Sequence, residues 1–339
     1  MWENVNDQKL KSVSARIALA MLLQFFMFST LSDFSLTIQS IFEMLLDPMP
    51  AHILGQTVYG LAYFFSFAVP AWVFCAMSRN KEEYRKGFYR AGLPRNMILL
   101  LVLTIAINFT LAYLNQIPLY SLFPSLTDVM ASDSDALTGY EFVMLLFTSA
   151  VVPALCEEIL FRGAILSNLL PFGRTTAILG SAFLFGLMHQ NPLQFLYTSI
   201  MGILLGILYV HTRSIWTCVL LHFVNNTVSI VQMAMYSFVE EKTADAIVSG
   251  LEILFVVGGV ICLWYAWKQE KKKKCHQEIG SYGVVFEAHA DYAEYPVTKG
   301  KRAKIFFSPG MIVYTAISVI SMIMVFFAAG LLSVIEGFL

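Results

Sequence analysis

Two glutamates and an arginine, Glu157, Glu158 and Arg162, stand inside the apolar run "VVPALCEEILFRG", in a chain that keeps charge sparse in its other apolar segments. On insertion scales a charged side chain at the centre of a spanning helix costs about 2.5–3.5 kcal/mol, so three cost on the order of 8–10 kcal/mol unless something offsets it. Glu158 and Arg162 are four residues apart, share a helix face and can neutralise each other. Glu157 lies about 100° round the helix and needs a different partner. Pro153, four residues before Glu157, removes a backbone hydrogen bond and predicts a bend that admits water beside that carboxylate.

Two further apolar runs carry histidine. "FGLMH" spaces Phe185 and His189 by four, and "HFVNN" does the same for His222 and Asn226, so each pair occupies one helix face. At 1.5 Å per residue, Glu157 and His189 each lie about 20–22 Å from the turn "LPFGR" that joins their helices. His222 and Asn226 lie about 14 and 20 Å from the turn at Arg213. An acid, two imidazoles and an amide from three helices thus fall within about two helical turns in depth.

Three chemistries use such a set. In peptide hydrolysis, Glu157 takes a proton from water with help from His189 while His222 and Asn226 stabilise the oxyanion, and Glu157 then protonates the leaving amine. In the alternative, His189, His222 and a glutamate hold a catalytic zinc with a position open for water, though no HExxH motif occurs. In the third, the polar groups line an ion path through a transporter, which Asn226 suits least and which no internal repeat supports.

The elements that must position these residues follow from composition. The 339 residues are 58% hydrophobic and 13% charged, with 28 Phe and 16 Met, which predicts an all-α, polytopic transmembrane bundle. Apolar stretches long enough to cross about 30 Å of hydrocarbon occur near 14–35, 53–77, 97–117, 140–169, 174–190, 193–211, 214–237, 247–267 and 311–335, nine in all. Apolar character continues from the first of these to Leu46, leaving open one long span or a span plus a surface helix. No small-residue cleavage signal precedes that span, which is expected to be retained.

Lys and Arg gather at 9–16, 79–95, 174, 213 and 268–304, which are alternate loops, whereas Asp47, Asp128, Asp133, Asp135, Glu240, Glu241 and Asp245 occupy the others with Lys242. The positive-inside rule therefore sets the N-terminus in the cytoplasm. The expected organisation is N-terminal spans and a cytoplasmic loop over 1–135, a catalytic membrane core over 136–270, a polar cytoplasmic insert over 271–310 and a last span over 311–339. A net charge of −1 offers no basic face for nucleic acid, so the partners are membrane lipid and whatever enters the bundle. The five cysteines show no ligand-like spacing and read as small apolar packers.

In order along residues 140–230, "EEILFR", "FGLMH" and "HFVNN" resemble the motifs EExxxR, FxxxH and HxxxN of the CPBP family of intramembrane proteases, also called the Abi or CAAX prenyl protease family. The resemblance implies an all-helical membrane endopeptidase acting on a membrane-anchored protein or peptide. It implies catalytic roles for Glu157, His189, His222 and Asn226, with Glu158, Arg162 and Phe185 in support. The family has been labelled metalloprotease and is also described as glutamate-dependent without metal. An amide opposite the histidine favours the metal-free reading, with zinc on Glu157, His189 and His222 as the alternative. The insert and the last span depart from the family pattern, which argues against a prenylated substrate. Members in bacteria are associated with bacteriocin immunity, so a non-catalytic immunity or binding protein is the reading from another class, and a multi-pass protein of a bacterial plasma membrane is the expected setting.

Overall fold

A computed structural model describes residues 2–78, 88, 98–99, 101–107, 109–110, 137–277 and 299–336. The described residues are organised by α1 (Trp2–Leu45), α2 (Pro48–Ala76), α3 (Gly139–Phe172), α4 (Arg174–Met188), α5 (Pro192–Thr212), α6 (Ile215–Phe238), α7 (Glu241–Gln277), the short helix α8 (Lys299–Ala303) and α9 (Pro309–Glu336). No strand occurs among the described residues, so the chain is the all-α bundle that its composition predicts. Six of the helices, α1, α2, α3, α5, α6 and α7, are long and apolar enough to cross a membrane, while α4 and the described apolar part of α9 are shorter. Most of the predicted span 97–117, the basic loop 79–95, the acidic residues 128–135 and the centre of the insert lie outside the described residues. Residues 101–107 are helical and place Ala106 against Gly259 of α7.

The first apolar region is one unbroken helix rather than a span followed by a surface helix. At 44 residues α1 is about 66 Å long. Its second half folds back on α2 through the Leu46–Asp47 turn, where Pro48 opens α2 with a fixed φ. Gly55 lets the Gln39 side chain approach, and Phe28 meets Tyr63 edge to face at 5.5 Å. The apolar outer face of this hairpin, including Phe34, Leu36 and Met44, is exposed, as a lipid-facing surface is.

α3 carries the charges and is not a uniform α-helix. Phe147–Val151 and Ile159–Leu166 are π-helical, with Val152 N–H bonded to Phe147 O and Ser167 N–H to Arg162 O, five residues back. Such wide turns are rare and recur at functional sites. α4 and α5 approach α3 closely because α5 presents Gly202 and Gly206 in a GxxxG spacing against Ala182 and Ile178 of α4. A Cβ on Gly202 would stand 2.8 Å from Ala182 Cα, and the Gly202 carbonyl accepts a bond from Arg162 Nη2 at 3.1 Å. Gly202→Val therefore forces α4 and α5 apart, and thermal unfolding in detergent should show a loss of about 1–3 kcal/mol.

The loops expected on one side of the membrane do meet at one pole of the bundle. Ser14 Oγ donates to Ser308 Oγ at 2.7 Å, Ser78 Oγ to Asn168 Oδ1 at 2.9 Å, and Trp216 Nε1 to the Phe88 carbonyl at 2.9 Å. The Arg302 guanidinium packs on Gly173 and the Phe306 ring on Gly180. The ends of the insert are thus structured: α7 runs on through Gln277, and Ile305 is fully buried in the common core beside Met311 and Tyr314 of α9.

Candidate active site

Arg162 is the largest fully buried side chain among the described residues. Its Nη1 lies 2.9 Å from Glu158 Oε1, giving the i, i+4 pair expected from the sequence. Its Nη2 bonds the Gly202 carbonyl, and its guanidinium carbon stands 4.7 Å from the centre of the Phe185 ring. A guanidinium suits this place because its planar fork can serve a carboxylate, a carbonyl and a ring face at once.

Glu158 has a second partner that spacing alone does not reveal. The same Oε1 accepts His222 Nδ1 at 2.9 Å. A carboxylate paired with arginine only accepts, so Nδ1 carries a proton and Nε2 is the nitrogen turned to other work. That Nε2 is 3.9 Å from Glu157 Oε2, too far for a direct hydrogen bond. His189 is fixed by similar logic. It caps the C-terminus of α4, and its Nδ1 lies 2.9 Å from the Phe185 carbonyl, which can only accept. Its Nε2 therefore holds a lone pair when the ring is neutral. Phe185 separates the two imidazoles, edge-on to His189 at 5.2 Å and to His222 at 5.8 Å, and so sets their spacing.

Glu157 finds the partner it needs in α2. The Tyr63 hydroxyl donates to Glu157 Oε1, while Oε2 has no hydrogen-bond partner. Tyr63 is itself held by stacking on Phe67, with ring centres 4.9 Å apart. Asn226 is oriented by the proline. Pro153 has no N–H to return to the Ser149 carbonyl four residues back, and that oxygen accepts Asn226 Nδ2 at 3.1 Å. Asn225 Nδ2 lies 3.4 Å from Asn226 Oδ1, which directs the amide nitrogen of Asn226 toward α3.

Glu157, His189, His222 and Asn226 line one cavity of about 410 Å3, together with Tyr63, Ser149 and Tyr197. That volume falls within the range of ligand sites. Its inner wall is buried, with Glu157 2% and His222 5% exposed. The seven residues singled out from the sequence thus gather in and immediately behind one pocket. Tyr63 was not among them.

Residues 139–228 match the family model of the type II CAAX prenyl endopeptidase Rce1-like proteins. Comparison with curated proteins gives no match, and comparison with solved structures gives none. The Rce1-like stretch contains all seven predicted residues and stops short of α2, so Tyr63 reaches the site from outside it. A family of endopeptidases is consistent with the EExxxR, FxxxH and HxxxN motifs and with peptidase activity in a multi-pass membrane protein.

Zinc requires three side chains converging within about 2.0–2.2 Å of one point. Among the described residues no three His, Cys, Asp or Glu side chains form such a group. No step below passes through a metal.

The proline also supports a prediction. In Pro153→Ala the restored N–H competes for Ser149 O and releases Asn226. Loss of one hydrogen bond of about 1 kcal/mol should lower turnover by about five- to tenfold with thermal stability unchanged or raised, measured on the purified protein.

Proposed function

We propose that the protein is an intramembrane endopeptidase that hydrolyses a peptide bond of a membrane-anchored protein or peptide with water activated by Glu157 and His189. The observation that carries this reading is the division of labour at Glu157: Tyr63 occupies Oε1, and Oε2 is left without a partner in a cavity shared with both histidines and Asn226.

The chemistry follows from the atoms available. Water bound between Glu157 Oε2 and His189 Nε2 loses a proton to Glu157 as its oxygen attacks the carbonyl carbon. Negative charge moves to the carbonyl oxygen. Asn226 Nδ2 has one N–H on Ser149 and a second to offer, and a His222 ring that enters the step with both nitrogens protonated donates from Nε2 and keeps that proton throughout. Glu158, against Nδ1 and itself balanced by Arg162, is placed to stabilise that imidazolium. Collapse breaks the C–N bond, and the proton on Glu157 passes to the amine nitrogen. One water is consumed, and one carboxylic acid and one amine are formed; the acid then gives its remaining proton to the amine, leaving a carboxylate and an ammonium.

The test is cleavage of a membrane-anchored peptide by the purified chain in lipid vesicles, read by mass spectrometry. A single new carboxyl terminus that survives treatment with a zinc chelator is the expected result. No product, or activity lost on chelation and restored by zinc, overturns the water-activation scheme. A non-catalytic immunity protein predicts instead that partner binding persists in His189→Ala/His222→Ala and that no peptide is cut.

A further inference from the structure

The cavity has a direction. Toward the pole where the basic loops meet, the structure behind Glu157 is solid: Glu158, Phe161, Arg162, Ile165 and Leu169 are 0% exposed. Those residues occupy about three turns of α3 and leave no path to that side. Toward the other pole the wall becomes polar and open. Ser149, Gln194 and Asn226 are half-buried, and Ser229, one turn beyond Asn226, is exposed.

Helix length explains why the opening lies there. α4 has 15 residues, so it rises only about 22 Å from the turn at Gly173, against a hydrocarbon thickness of about 30 Å. His189, Gln190 and Asn191 therefore link α4 to α5 below the far surface. Gln190, with φ +50°, makes the turn in the left-handed region. Non-helical backbone at membrane depth is stable only where it is covered by protein or lines a wet cavity, and His189 lines this one. α3 and α6, at 34 and 24 residues, extend further toward the same pole and form the rim.

The two poles differ in charge. Arg174, Arg213, Arg302 and Lys304 belong to the closed pole, whereas Asp47, Glu240, Glu241 and Asp245 lie at the helix ends of the open one. Basic loops stay in the cytoplasm, so the closed pole is cytoplasmic.

The geometry points to an outward-opening site: the peptide that enters it is the extracytoplasmic, membrane-adjacent segment of an anchored protein or peptide, not a chain terminus presented from the cytoplasm. The access side rests on the cavity and the charge bias alone, and the substrate class rests also on the peptidase reading above. An occupant arriving from outside meets Ser229 and Gln194 first, then the Asn226 amide, and reaches Glu157 at the floor.

Two measurements on the full chain test this. Ser229→Cys and, should that variant fold poorly, Gln194→Cys are treated in intact bacterial cells with a membrane-impermeant maleimide, with Lys304→Cys as the opposite-pole control and the parent chain as background. Labelling of the first pair in intact cells, and of Lys304→Cys only after permeabilisation, is expected. The reverse pattern overturns the inference. In parallel, two single-span reporter peptides carry the same cleavable segment on either the outer or the inner side of the span. Cutting of the outer reporter alone supports the substrate class, and cutting of the inner one overturns it. Labelling as expected with neither reporter cut upholds the outward opening and overturns the peptidase reading.

Discussion

Glu157→Gln is expected to lower peptide cleavage by about 10^3-fold while leaving the fold in place, since general acid–base catalysis contributes typically about 10^2–10^4-fold. Glutamine keeps the shape of the side chain, and its carbonyl oxygen still accepts the Tyr63 hydroxyl. What it cannot do is receive a proton from water and pass it on. Stability should hold or rise, because a buried carboxylate whose second oxygen lacks a partner has been replaced by a neutral group. The variant therefore separates chemistry from architecture: the measurements are turnover of the vesicle-bound peptide and the midpoint of thermal unfolding. Turnover within a few fold of the parent, with an unchanged midpoint, removes Glu157 from the reaction.

Why the sequence exposes some of this site and hides the rest is a matter of how far each contact reaches along the chain. Glu158 and Arg162 are one turn apart, so their pairing needs only the helix period. The common level of Glu157, His189 and Asn226 needs only the rise per residue and the two turns that join their helices. Contacts that depend on how helices rotate against each other were not readable. The period sets Glu158 with Arg162 but is silent on His222 Nδ1 as its second partner, 64 positions away. Tyr63 lies 15 residues before Ser78, hence about 22 Å from that end of the bundle and at the depth of Glu157. That signal existed, but a chain with 15 Tyr and 28 Phe supplies too many aromatic residues at every depth for it to single one out. Pro153 announced an irregularity in α3. Its form, a π turn whose neighbouring carbonyl at Ser149 orients Asn226, required the tertiary packing. The insert shows only polarity in the sequence, yet Ile305 and Phe306 at its end pack against α1 and α4, contacts set by residues nearly 300 and 126 positions away.

The second large effect concerns Arg162, and it tests whether the machinery behind the pocket is mainly scaffold. Arg162→Ala leaves Glu158 buried without its cation, strips a donor from the Gly202 carbonyl and removes the group stacked on Phe185. Breaking a buried pair by deleting one partner costs about 3–5 kcal/mol, a large share of the total stability of a typical domain. Most of that penalty is the stranded charge rather than the pair's own worth, so a second change should recover it. Glu158→Gln/Arg162→Met removes both charges while keeping volume, and its unfolding midpoint should return most of the way to the parent value. Activity should not return with it. The glutamine introduced in place of Glu158 can still accept the His222 Nδ1–H, but a neutral amide holds an imidazolium less well than a carboxylate, and the oxyanion loses its charged donor. A loss of about 10–10^2-fold in kcat with KM little changed is the expected signature, measured on the purified double variant. A double variant that regains both stability and turnover makes Glu158 and Arg162 packing residues alone, and leaves oxyanion stabilisation to Asn226.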